Sequence, residues 1–442
     1  MFKKNIRLAV GLLLAHAIAL PVSSYAEEIS NEVWNASFQT TYIWQTKPSF
    51  SASYSGINSL RSEHEKSYSF SATATLGWRA WQGGELYFDP ELVQGVPLSN
   101  LTGLGGMTNG EQQKTGGPNP TLYRARLFLR QTWNLDGEKE AVESGANQLA
   151  GMVDKRRIVV TTGNLAVMDL FDNSAVAHDA RTQFFNWALT THGAYDFAAD
   201  ARGYTWGAAL EYFYDDWVVR GGRFMQPAES NGLPLDKKIF THYGDQIELE
   251  RAHTINGQPG KLRLLAFRNK ANMGQFRDAL LEAAINGGTP DVGKVRRENI
   301  KYGFGFNLEQ NLTPEINVFT RASWNDGVSE TYAFTEIERS FSSGAAVKGI
   351  LWGRHADMVG VAFVRNGLSR VHQEYLAAGG HGAFIGDGQL TYRPETIVEA
   401  YYSANVAKST WITLDLQHIA NPAYNADRGP VKVASIRLHT EF

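Results

Sequence analysis

Side chains able to bind a polar solute fall into three groups along this sequence. Arg124, Arg126 and Arg130 recur at even spacing in a run whose intervening positions include Tyr123, Ala125, Leu127, Leu129 and Trp133. Glu85, Asp89 and Glu91 do the same against Leu86, Phe88 and Leu92, while Glu399, Asp415, Gln417 and Arg437 occupy the polar positions of later runs. Residues 168–174, continuing through His178, Asp179 and Arg181 to Trp187, are too polar and aperiodic for a strand and read as a loop rich in solute ligands. Guanidinium, carboxylate and aromatic groups held together hydrogen-bond hydroxyls and stack on a sugar ring, whereas a ring of one charge selects ions. Bond-making chemistry has no such support: the chain lacks a Gly-x-Ser-x-Gly elbow, a His-Glu-x-x-His pair, a Walker loop and a calcium loop. No cofactor is expected, and the reading is not that of an enzyme.

The elements that must carry these groups are strands. Trp34, Ala36, Phe38, Thr40, Tyr42 and Trp44 alternate with Asn35, Ser37, Gln39 and Thr41. Tyr68, Phe70, Ala72, Ala74, Leu76 and Trp78 alternate more cleanly with Ser67, Ser69, Ser71, Thr73, Thr75 and Arg79. A period of two puts every apolar side chain on one face and every polar one on the other. Both runs match the 9–11 residues that cross an outer membrane at a tilt, with aromatics near their ends where a membrane girdle requires them. Tyr302, Phe304, Phe306 and Leu308 continue the pattern, and Thr313-Pro314-Glu315 turns the chain into a return strand from Ile316 to Trp324. Tight turns are expected at Asp215-Asp216 and at residues 256–260, and longer irregular stretches at 95–120 and 164–187. A short helix is expected over 276–285.

Compartment and composition agree with this patterning. Lys3, Lys4 and Arg7 precede an apolar stretch from Leu8 to Leu20 that ends in Ser24-Tyr25-Ala26, the form of a signal peptide cleaved after Ala26. Loss of those three bases, from 42 basic against 45 acidic residues, leaves a mature net charge of −6, which argues against a nucleic-acid partner. There is no cysteine, so no disulfide framework holds the exported chain. Mean hydropathy is −0.30 and no second apolar run is long enough for a spanning helix. A soluble sandwich or a membrane β-barrel remains; the 43 glycines and the long alternating strands favour the barrel.

Residues 27–442 therefore read as one domain, an all-β transmembrane antiparallel barrel with long extracellular loops and short periplasmic turns. At roughly 25 residues per strand and connection it holds about 16 strands. The last strand places Ala434, Ile436, Leu438 and Phe442 on one face against Ser435, Arg437, His439 and Glu441. Outer-membrane lipid and lipopolysaccharide should surround such a barrel, and a terminal aromatic such as Phe442 suits recognition by the barrel-assembly machinery.

Two segments carry a family likeness: Lys301-Tyr302-Gly303-Phe304-Gly305-Phe306-Asn307-Leu308-Glu309-Gln310 with 319–327, and Glu395, Glu399-Ala400-Tyr401-Tyr402 with 414–425. They resemble the OprB-type carbohydrate-selective porins. The resemblance implies a sixteen-stranded barrel, narrowed by inward-folded loops and lined by arginines and acids, that passes small carbohydrates, both mono- and disaccharides. Relatives of this kind imply a monomer or a homotrimer. The alternatives are a general or anion-preferring porin, and a barrel that serves as an enzyme or interaction module.

Overall fold

The computed structural model describes residues 31–442, so the expected signal peptide lies outside the described residues. Sixteen strands follow in chain order: β1 (Trp34–Lys47), β2 (Glu65–Trp81), β3 (Gly84–Val96), β4 (Thr121–Val142), β5 (Gly151–Leu165), β6 (Thr205–Tyr214), β7 (Trp217–Phe224) and β8 (Tyr243–Ile255). The second half comprises β9 (Gln258–Met273), β10 (Arg297–Asn311), β11 (Ile316–Asn325), β12 (Arg339–Lys348), β13 (Met358–Gly367), β14 (Glu395–Ala407), β15 (Thr410–Ala420) and β16 (Val431–Glu441). Each strand pairs antiparallel with its sequence neighbours, and β16 returns to β1 to close the barrel. Closure leaves no strand edge in the lipid, where an unpaired amide would cost several kcal/mol.

Burial is inverted relative to a water-soluble protein. On β2 the serines and threonines 67–75 are buried inside, while Leu76 and Trp78 are 47% and 54% exposed outside. On β15 and β16 Asp415 and Arg437 are sealed, while Leu416 and Ile436 face out. Outward Trp34, Trp78, Trp133 and Tyr214 mark the turn end, and Tyr302 with Trp324 the loop end, the two aromatic girdles of a spanning barrel. No helix among the described residues is long and apolar enough to cross a membrane. The strands do the crossing.

Connections are strongly asymmetric. Turns 82–83, 215–216, 256–257 and 408–409 are tight, whereas 97–120, 166–204, 274–296 and 368–394 are long loops at the opposite end. The expected helix is present as Phe276–Asn286. Much of the 166–204 loop folds into the barrel and builds an apolar core there, with Trp187 edge-on to Phe334 at 4.6 Å and Phe184 edge-on to Tyr401 at 5.0 Å.

One expectation fails in β4. Arg124 was expected in the lumen with Arg126 and Arg130, but it points outward and stacks 5.1 Å from the Trp206 ring. The cause is a bulge: Asp89 pairs with Arg126 and Pro90 with Arg124, so Ala125 is an extra residue that reverses the alternation. Pro90 has no N–H to complete the ladder, and bulges are where a strand tolerates proline. Tyr123 takes the inward place beside Glu91 instead.

Closure also defines the terminus. Phe38 N donates to Phe442 O at 3.0 Å and Phe442 N to Phe38 O at 2.8 Å, while the Phe442 side chain stays 74% exposed. The ring is thus free for recognition. Phe442→Asp should lower the amount of folded barrel in the outer membrane severalfold, read by heat-modifiable gel mobility, with single-channel conductance of the surviving barrels unchanged. Normal membrane levels would exclude a role for the ring in assembly.

Candidate pore constriction

The lumen is blocked unequally. Across the β9–β16 side, the 166–204 loop is tied to the wall by buried charge. Asp172 accepts from Thr191 Oγ1 at 2.8 Å, His192 N at 3.0 Å and Asn307 Nδ2 at 2.5 Å, and pairs with Arg321 Nε at 3.0 Å. Burial, outweighing the attraction of Asp172, depresses the His192 imidazole to about 4, so this part of the plug carries a neutral ring. Asp196 accepts from Tyr332 N and Ala333 N at 2.9 and 2.8 Å and pairs with Lys301 at 3.2 Å.

Glu399, Asp415, Gln417 and Arg437 belong to this anchoring system. Glu399 accepts from Phe185 N at 2.5 Å and Asn186 N at 3.0 Å, and Gln417 accepts from Asn186 Nδ2 at 3.0 Å. Arg437 donates to Ala180 O and Gln183 O, both at 2.8 Å, and Asp415 accepts from Gln417 and Ser435. All four face inward as expected from alternation, yet the loop seals them from water, so they brace the plug and do not line an open path. Alternation specifies a side; it cannot register what later covers that side.

The open route runs along the β2–β7 wall. A cavity of about 390 Å³ on the loop side is lined by Glu111, Lys114, Arg126, Arg181, Arg202 and Tyr204, among others. A second, of about 380 Å³ on the turn side, meets Arg79, Glu85, Arg157, Glu211 and Arg220. Arg130, Gln148, Asp169 and Asn173 border both, so they form the waist between them.

Around the waist, most charges are paired. Arg126 grips Asp169 with both nitrogens at 2.6 and 2.7 Å and reaches Asp89 at 3.3 Å. Burial would raise the Asp169 carboxyl, but Arg126 holds it below its ordinary value. Arg181 joins Glu91 at 2.6 Å to Glu111 at 2.7 Å. His178 and Asp179 line the loop-side cavity beside it, with burial lowering the imidazole of His178. Glu85 pairs with Arg79 at 2.9 Å and accepts from Tyr87 Oη at 2.8 Å. Arg130 alone of these arginines has no carboxylate partner among the described residues. It donates to Asn147 O at 2.9 Å and lies 5.2 Å from the Tyr87 ring and 5.5 Å from Phe128.

A fixed guanidinium with spare N–H groups, flanked by aromatic faces and neutralised neighbours, binds hydroxyls without demanding a charged solute. Of the residues singled out from sequence, Asp89, Glu91, Arg126, Arg130, His178, Asp179 and Arg181 converge here, with Glu85 just below. Asp169 and Asn173 were read only as part of the ligand-rich 168–174 stretch, and Gln148 was missed. That stretch reads as a loop without showing that it folds inward, and Gln148 lies in a turn that gave no signal.

A closed sixteen-stranded barrel with a polar waist is the architecture of an outer-membrane porin. The model of the carbohydrate-selective porin family OprB matches residues 58–442, and the chain belongs to that family. It is similar in fold to Pseudomonas putida OprB solved at high pH, at 16% identity and a TM-score of 0.69, over 93% of this chain and 94% of that one. The low-pH structure of Pseudomonas putida OprB gives 12% identity and 0.51 over 93% of each. No curated protein sequence matches the chain.

Asp172 tests the anchoring. Asp172→Ala leaves the Arg321 guanidinium buried without its partner, a loss of about 3–5 kcal/mol for a pair of this kind. The barrel should still assemble, while the 166–204 loop becomes protease-sensitive and the open-channel current becomes noisy. A protease-resistant loop with steady current would show that the other tethers suffice.

Proposed function

We propose that the chain lets neutral mono- and disaccharides diffuse passively through this waist, past Arg130 on the strand wall and past Asn173 and Asp169, the latter held in place by Arg126, on the inward loop. The observation that carries the reading is Arg130: it borders both cavities and keeps donors unspent on carboxylate among the described residues. Glu91 and Glu111 are balanced nearby by Arg181 and Lys114, which disfavours an anion-selective path. Phe128 and Tyr204 give the loop-side cavity an apolar edge.

Export through a signal peptide cleaved after Ala26 would deliver the chain to the outer membrane, where Phe442 is the handle for assembly. Around the barrel, outward Arg223 and Arg268 flank Asp245 at 2.7 and 3.2 Å near the loop end, a basic rung suited to lipopolysaccharide phosphates. Each chain closes its own barrel, so a monomer and a homotrimer would both carry one pore per chain.

Liposome swelling with a sugar size series tests the reading. Monosaccharides should enter fastest, disaccharides more slowly, and the double variant Arg126→Ala with Arg130→Ala should lose sugar preference at least severalfold. Arg124→Ala, on the lipid face, should behave as wild type. If the smallest sugar fails to enter wild-type liposomes, or the double variant matches wild type, the reading is wrong. Strong chloride selectivity in planar bilayers without sugar block would favour a general anion porin instead.

A further inference from the structure

The turn between β4 and β5 is unlike the other turns at its end of the barrel. β3 begins at Gly84, opposite Gln131, so residues 132–142 of β4 run past its neighbour, and residues 143–150 close the hairpin. The hairpin does not project into the periplasm. Its tip curls back over the turn-side mouth and is latched there by the start of the chain's first strand.

The latch is made of several independent bonds. Asn35 Nδ2 donates to Ser144 Oγ and Gly145 O, each at 3.1 Å, and to Gln148 O at 2.8 Å. Glu32 accepts from Ala150 N at 2.8 Å and Ser144 Oγ at 3.1 Å, and Glu32 N donates to Ala150 O at 2.9 Å. Leu149 is 3% exposed, packed in the same apolar cluster as Tyr87 and Phe128, and its N–H donates to Tyr87 Oη at 3.1 Å. Between these anchors Asn147 adopts a left-handed backbone, φ 58°, which turns its carbonyl to Arg130 and its side-chain amide to Asp89 at 2.9 Å. Gln148 then borders both cavities at the waist.

We infer that the 143–150 tip is a second selectivity element, entering the constriction from the periplasmic side, where Asn147 orients Arg130 and Gln148 offers its amide to the hydroxyls of a neutral sugar. The inference rests on the porin reading for its solute. Its structural half, a turn that narrows the pore from below, does not. Two kinds of contact converge on Asp89, beside Arg130: Arg126, which carries the loop carboxylate Asp169, reaches it at 3.3 Å, and Asn147 of the hairpin donates to it from below at 2.9 Å. A solute leaving the waist must pass the amide pair before it reaches the periplasm.

Replacing residues 143–150 by Asn-Gly, which joins Val142 to Gly151 through a two-residue turn, tests the narrowing. The shortened barrel should show at least a twofold rise in single-channel potassium chloride conductance, and its sucrose-to-glucose swelling ratio should rise toward one. Wild-type conductance and ratio in an assembled shortened barrel would overturn the inference. Asn147→Ala and Gln148→Ala, which keep the hairpin length, should raise the same ratio with a smaller change in conductance; an unchanged ratio in both would overturn it even if the shortened form did not assemble. Conductance separates this outcome from failure of the porin reading: a wild type closed to all sugars but with conductance raised by shortening would sink the sugar reading and keep the hairpin as a pore-narrowing element.

Discussion

A backbone amide inside a bilayer has no water to turn to, and the pairing of β16 with β1 is how this chain meets that constraint. Everything else is arranged around the resulting cylinder. Closure forces every strand to present one face to lipid and one to the interior, so polar side chains collect inside at a density that a soluble core would not accept. The chain then has two ways to satisfy them, by water or by one another. It uses both, in different halves of the lumen.

Across the β9–β16 half, the polar wall is satisfied by protein. Asp172, Asp196, Glu399 and Arg437 bind backbone groups of the inward loop or its neighbours, and aromatic residues such as Trp187, Phe334 and Phe184 fill the space between. Across the β2–β7 half, the wall stays wet. Arg126, Arg181 and Arg220 are there matched by carboxylates, while Arg130 at the waist keeps donors that no carboxylate among the described residues takes up. An eccentric channel of mixed charge follows from that division of labour.

Much of the architecture was legible because strand alternation and membrane thickness are local rules. The β2 pattern from Tyr68 to Trp78, the 313–315 turn, the helix near Phe276 and the count of about sixteen strands all follow from residues close in sequence. Arg124 was misread because the bulge that turns it outward is set by Pro90 on the adjacent strand, more than thirty positions away. Glu399, Asp415, Gln417 and Arg437 were read as pore-lining because alternation cannot show that residues 180–186 will cover them.

What the sequence by itself determined is the facing of most strands, the polarity of the lumen and, through residues 301–327 and 395–425, the likeness to the carbohydrate-selective porins. Those are properties of short stretches, since hydrophobic period and local motif need no distant partner. Only the tertiary structure decided which polar residues remain in water. That outcome depends on where Asp169 and Asn147, brought from opposite ends of the barrel, meet Arg126 and Arg130 of β4, and contacts made across such long loops leave no periodic trace in the chain.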